Sequence, residues 1–357
     1  MVLADLGARV IKVESPAGGD DSRRIGPFVA GRSAYFMSLN RGKESIALDL
    51  KRDPDRAIFE KLLPRADVLT ENFRPGVLDR LGFGWEALHR RHPRLVLAST
   101  SGFGQTGPLA KRPAYDIVVQ AMGGIMSLTG HPGGPPTRVG SSVGDITAGL
   151  FTAIGIQAAL VARERTGEGT RVDVAMLDAQ IATLENAIAR FDASGEVPGP
   201  LGSRHPSIAP FEALAAADGH LVVAAGNDGL FAALCEALGR PGLAGEERFR
   251  SNEDRRRNAD ALKRELEAAL AARPVHAWLT DLEAAGIPCG PLNDISDVLE
   301  DPQVLARNMI VHVDDPAAGQ VRMAGNPVKI AGCEDPATRS PAPDLDADRA
   351  RILAEFG

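Results

Sequence analysis

Strand-like and helix-like stretches take turns along the first half of the chain, and this alternation restricts the fold more than any other feature. "MVLADLGARVIKVE" reads as the tail of a helix, a stop at Gly7 and a short strand over 9–13. "KESIALDL" (43–50) alternates like a strand, and "DPDRAIFEKLLPRA" (53–66) has helical periodicity. "DVLTEN" (67–72) and "RLVLASTSG" (94–102) read as strands, with a helix over 77–89 between them. A helix over 146–163, a strand within "RTGEGTRVDVAM" and a helix over about 177–194 complete the series. Parallel strands need a crossover of a dozen or more residues, and a helix supplies it, so the expected class is α/β with a mostly parallel sheet.

The texture then changes. "GEVPGPLGSRHPSIAP" (195–210) is rich in Pro and Gly and reads as a linker. "FEALAAADGHLVVAAG" reads as a hairpin turning at Asp218-Gly219, and helical segments follow at 228–239, 254–272 and 274–285. The division expected is a large domain over 1–194, a linker over 195–207 and a smaller α+β domain over 208–310. The tail is extended over 319–332 and ends in a short helix near 345–355.

Charge and cysteine content bear on partners and setting. A net charge of −7 argues against a nucleic-acid partner, which requires a basic face. No apolar run is read as reaching the ~18 residues of a bilayer span, so no membrane partner is expected. Cys235, Cys289 and Cys333 are widely spaced and odd in number, which points to a reducing, cytoplasmic setting.

Candidate chemistry is sparse. "GFGQTG" (102–107) follows a strand and has G-x-G-x-x-G spacing, but Pro108 follows where a dinucleotide site needs a helix. The seven histidines show no metal-ligand spacing, and no G-x-S-x-G elbow is present. Lys51 ends one strand, Asn72-Phe73 end another, and Arg74 and Arg80 follow. Ligands bind at such strand ends in open α/β sheets, and cations beside an aromatic ring suit a phosphate-bearing ligand with a stackable base. In "SSVGDITAGLFTAIG" (141–155), Asp145 stands among small and apolar residues at a helix start. It reads either as an N-cap or as a reactive carboxylate with room for substrate, and the two readings are compatible.

Taken together, the phrases resemble the class III CoA-transferases, the CaiB/BaiF family that includes formyl-CoA transferase and 2-methylacyl-CoA racemase. The matching stretches run nearly end to end: "LADLGARVIKVE", "SLNRGKESIALDLK", "ADVLTENFRPGVLDRLGFG", "SGFGQTGP", "AYDIVVQAMGG", "VGDITAGL", "GEGTRVDVAMLDA", "GIPCGPLNDISDVLEDPQV" and "AGNPVKIAG". The resemblance implies a Rossmann-like large domain built from both chain ends, with 311–357 returning to it, plus the small domain. Two chains would interlock as a homodimer. It places the catalytic carboxylate on Asp145 and CoA contacts on Leu48, Leu50, Lys51, Asn72, Phe73, Arg80, Tyr115 and Met176. It implies no metal and no tightly bound cofactor: coenzyme A enters as an acyl-CoA substrate, with a small carboxylic acid as acceptor.

Two departures accompany the resemblance. Family members carry a strand and a glycine-proline turn, which contacts CoA, ahead of the "LADLG" helix, whereas this sequence starts inside that helix. The glycine-rich flap of formyl-CoA transferases is replaced by "RHPSIAPFEAL", which argues against formyl or oxalate specificity and toward succinyl-CoA with a dicarboxylic or hydroxy acid. Within the family a racemase needs a histidine before the aspartate, in a "GHD" phrase. Here the phrase is "AYD", and the Tyr115 phenol, ordinarily titrating near ~10, is a poor base. Transferase is therefore the leading reading, with racemase and a non-catalytic CoA-binding paralogue as alternatives.

Overall fold

Gly7, at φ +96°, turns the chain out of α1 (Val2–Asp5) and into β1 (Ile11–Glu14), much as the opening phrase predicts. The computed structural model describes residues 1–356. After a small hairpin of β2 (Phe28–Val29) and β3 (Arg32–Ser33) come α2 (Ala34–Asn40) and β4 (Glu44–Ala47). Next are α3 (Asp53–Leu62), β5 (Val68–Glu71), α4 (Val77–Arg80), α5 (Trp85–Arg91) and β6 (Val96–Ser101). The series continues through α6 (Asp116–Met122), α7 (Ile125–Leu128), α8 (Val143–Thr166), β7 (Arg171–Ala175) and α9 (Met176–Ala182).

The expected parallel pairing is present, in two separate ladders. β1 pairs with β4, Ile11 facing Glu44. β5, β6 and β7 form the second ladder, Val68 facing Val96 and Leu97 facing Arg171. Ile46 of β4, Leu97 of β6, Phe59 of α3 and Phe83 share one core, where Phe83 meets Phe59 edge-on at 4.8 Å. Burying such large apolar side chains, each worth ~1.5–3 kcal/mol, holds this face of the strands under its helices.

Two predicted helices are broken. The stretch over 77–89 splits into α4 and α5 because Gly82, at φ +85°, adopts a conformation that a helix cannot continue. The stretch over 177–194 splits into α9 and α10 (Ala187–Ser194) around Glu185, at φ +54°. α8 begins three residues earlier than predicted. Its residues 146–162 carry no charge, and by length and composition alone it could span a bilayer, contrary to the expectation that no run would. Packing on β6, β7, α6 and α9 accounts for one face, where Ala148, Ala153, Ile156 and Ala159 are buried.

The remaining elements are β8 (Phe211–Ala215), β9 (His220–Ala224), α11 (Asp228–Ala237), α12 (Asn252–Arg257), α13 (Ala259–Leu270), α14 (Val275–Ala284) and β10 (Cys289–Pro291). They are followed by α15 (Ile295–Glu300), α16 (Pro302–Ala306), β11 (Ile310–Asp315), β12 (Gly319–Ala324), β13 (Thr338–Arg339) and α17 (Arg349–Phe356). β8 and β9 form the hairpin expected at Asp218-Gly219, and β10 adds to it antiparallel.

Contacts divide the chain into two compact units. One holds Met1–Ile125, Arg138–Ile188 and the residues from Leu299 on; the other holds Met126–Thr137 and Ala189–Val298. Chain-end packing within the first unit is direct: Ile352 of α17 is buried in the core shared by β4 and β6, and the Asp346 and Asp348 carboxylates accept the Ala47 and Ser45 amides. The second unit has its own core, around Leu221, Phe231, Phe249, Leu266 and Leu282.

Candidate active site

Asp145 occupies the third position of α8, and the N-cap is Ser142. The N-cap expectation for Asp145 is therefore corrected: the helix starts earlier, and Asp145 makes no cap bond. The cap comes instead from Asp116, 29 positions earlier in the chain, at the start of α6. Its Oδ1 accepts the Gly144 amide at 2.9 Å, and its Oδ2 accepts Gln120 Nε2 at 2.7 Å. Arg138 approaches the same carboxylate at 3.5 Å. Gln120, fully buried on the same face of α6, accepts the Val139 amide at 2.9 Å and donates to the Ser141 carbonyl at 3.3 Å. The segment running into α8 is thus held by two side chains four residues apart on one helix.

Gly144 allows this approach. A Cβ there would lie 2.7 Å from Val119 Cγ2 and 3.1 Å from Asp116 Oδ1, so α8 and α6 meet only because position 144 has no side chain. Val119, Ala148, Met176 and Ala179 close the contact as a small apolar cluster.

Asp145 itself is an exposed residue. Its pKa lies above the ordinary carboxylate value, because surrounding protein desolvates the charge and the Asp116 carboxylate repels it.

The anticipated CoA contacts fall at strand ends of the first unit. Leu48 directly follows β4 and is buried, Leu50 is half-buried, and Lys51 is exposed just before α3. Asn72 and Phe73 follow β5, both exposed, with the Phe73 amide donating to Glu71 at 2.8 Å. Arg80 ends α4 and is exposed; Leu78, two residues earlier, packs in the same core as Leu48 and Leu50. Tyr115 precedes α6 and is 81% exposed. Met176 opens α9 at the end of β7 and packs with Ala148, three residues after Asp145. The arrangement joins Met176 to the Asp145 helix in one cluster, and Leu48 and Leu50 to the Arg80 helix in another.

"GFGQTG" forms a loop after β6, with Gly104 at φ +83° and Gly107 at φ +88°. The Gln105 amide is taken by the Asp173 carboxylate, and no helix follows until α6, as the Pro108 argument requires. The Gly123 amide closes α6 on Val119 at 2.7 Å and is not available to a substrate oxyanion.

Asp116, Gln120 and Arg138 were not singled out from the sequence. The available signal was Asp and Gln at i and i+4 in "AYDIVVQ", but nothing local says that they cap a helix starting 27 residues further on.

Fold and site define an α/β protein in which parallel strands end near a partly desolvated carboxylate set at the start of a long helix. Residues 1–349 match the family model described as CoA-transferase family III, and the chain belongs to that family. It is 52% identical to an acetyl-CoA:oxalate CoA-transferase of Acetobacter aceti, over 99% of this chain and 90% of that protein. It is 41% identical to a succinyl-CoA:mesaconate CoA-transferase of Haloarcula hispanica, over 100% and 91%. A crystal structure of a CaiB/BaiF family protein from Brucella suis superposes with a TM-score of 0.86 at 40% identity, covering 100% of this chain and 94% of that one.

Proposed function

We propose that the protein transfers coenzyme A from an acyl-CoA thioester to a free dicarboxylic acid by way of an acylated Asp145. CoA-transferase is the enzyme class of its family and of relatives at 35–52% identity. The observation supporting Asp145 as the carrier is its position: a partly desolvated carboxylate at a helix start, with the cap supplied by another residue.

A carboxylate is a weak nucleophile in water because it is strongly solvated, and desolvation raises its reactivity. An Asp145 oxygen attacks the thioester carbonyl; the C–O bond forms, the C–S bond breaks, and CoA leaves as thiolate. The thiolate then attacks the Asp145 acyl carbon of the mixed anhydride, releasing the donor acid as carboxylate and leaving an aspartyl-CoA thioester. The acceptor carboxylate attacks that thioester, the thiolate leaves, and its return to the acceptor acyl carbon frees Asp145. No net proton is consumed, and one thioester is exchanged for another.

The reading assigns CoA to the first unit, with Lys51 and Arg80 near its phosphates and Leu48, Leu50, Asn72, Phe73, Tyr115 and Met176 along it. A charged hydrogen bond contributes ~1.5–3 kcal/mol, so Arg80→Glu raises the KM for acyl-CoA about tenfold or more. An unchanged KM would remove Arg80 from the site. The dicarboxylate class follows from the acceptors named for the two relatives above. Mass spectrometry of the purified chain with acetyl-CoA or succinyl-CoA and a panel of dicarboxylates tests it by the new thioesters formed; exchange with none of them would contradict the reading.

The active form in this reading is an interlocked homodimer. Ile146, Leu150, Ile154 and Val161 form an exposed apolar stripe on α8, each between 44% and 59% exposed, which a second chain would cover. Sedimentation at assay concentration should give twice the chain mass, and a fully active monomer would overturn the assignment. The free thiols of Cys235, Cys289 and Cys333 support a reducing setting, which we place in the cytoplasm.

A further inference from the structure

We propose that Asp116, with Gln120, is the positioning residue for the transfer: it caps α8 in place of a local capping box and thereby leaves the Asp145 carboxylate free. The inference rests on Asp145 being the acyl carrier.

The local alternative is written in the sequence. "SVGD" (142–145) has the S-x-x-D spacing in which an N-cap serine accepts the third amide and the third side chain reaches back to the serine amide. The same chain forms that box from "SNED". Ser251 accepts the Asp254 amide at 3.2 Å, and Asp254 accepts both the Ser251 amide at 3.3 Å and its hydroxyl at 2.5 Å. At α8 neither half of the box forms: Ser142 makes no side-chain cap bond, and Asp145 accepts nothing from it. The difference lies in what faces each helix. The buried Asp116 carboxylate takes the Gly144 amide, while Gln120 draws in Val139 and Ser141, fixing the segment so that Ser142 is not in a capping conformation.

A carboxylate tied into a capping box is stabilised as the anion by backbone amides and is correspondingly less nucleophilic. Asp116 prevents that loss, and its own charge adds to the desolvation of Asp145. The elements packed on α8 also carry Asp5 on α1, Asp178 on α9, and Arg171 and Asp173 on β7; the repulsion that raises the Asp145 pKa comes from Asp116. Arg138, beside Asp116, partly offsets that charge.

Three variants test this. In Asp116→Ala the box can close, so kcat falls about tenfold or more while the KM for acyl-CoA changes little, the response to a small misplacement of a reacting group. Asp116→Asn keeps an oxygen for the Gly144 amide but removes the charge, which moves the acid limb of the rate profile to lower pH. Arg138→Ala unmasks the Asp116 charge and moves the limb to higher pH. Opposite shifts from these two substitutions are something a purely structural role would not produce, and Asp116→Asn carries the test even where Asp116→Ala unfolds. A wild-type kcat in Asp116→Ala, or limbs that stay put or move together in the other two, overturns the proposal. Should Asp145→Asn remain inactive alongside those results, the positioning role alone has failed; an active Asp145→Asn would instead remove the carrier assignment beneath it.

Discussion

Asp145→Asn is expected to lower CoA transfer by roughly 10⁴–10⁶-fold, the range found when a covalent nucleophile or its partner is removed, while the protein stays folded and still binds CoA. The basis for that separation is structural. Asp145 makes no cap bond, so asparagine removes no bond that holds α8, and the Asp116 bond to Gly144 persists. The CoA contacts assigned to Lys51, Asn72, Phe73 and Arg80 lie on other elements, so affinity for CoA should survive. Turnover measured beside thermal unfolding and CoA binding checks all three parts. Near wild-type turnover would mean that the carboxylate carries nothing.

The second large effect is expected at Gly144. An alanine methyl there would sit 2.7 Å from Val119 Cγ2 and 3.1 Å from Asp116 Oδ1, and Val119 is wholly buried and has little room to yield. Relief requires α8 to move away from α6, stretching the Asp116 cap and carrying Asp145 with it. Overpacking of this kind costs about 1–3 kcal/mol in stability. The catalytic loss should be larger, since displacing a reacting group by ~1 Å costs on the order of 100-fold in rate. Thermal unfolding and kcat of Gly144→Ala measure the two effects separately. A modest fall in stability with wild-type kcat would show that the α6–α8 contact does not govern Asp145.

The fold was legible in the sequence where local pattern decides it. Period-two alternation and helical periodicity mark β4, α3, β5 and β6, and crossover length forces the parallel pairing, so this part needed no tertiary information. The hairpin at Asp218-Gly219 follows from turn chemistry for the same reason. Helix ends were harder. Gly82 breaks a stretch whose apolar spacing otherwise continues, and the break at Glu185 carries no glycine or proline to announce it. At α8 the local signal misleads: an aspartate at the edge of an apolar run suggests a cap, but the cap arrives from Asp116 in another helix. A long-range acceptor leaves no trace in a window of neighbouring residues. Asp145 was therefore identified through family phrases, whereas the residues that hold it in place became visible only once α6 and α8 were seen side by side.

The covalent step is tested most directly by incubating the enzyme with acyl-CoA alone, without acceptor, and mapping the modified peptide. With no second acid to complete the cycle, Asp145 should accumulate as its CoA thioester. Hydroxylamine should convert that residue to a hydroxamate and borohydride should reduce it to an alcohol, each change localised by mass spectrometry to the peptide that contains Asp145. The same treatment of Asp145→Asn should leave the peptide unmodified. Reproducible labelling at a different carboxylate, or full turnover with no trappable adduct on Asp145, would contradict the account.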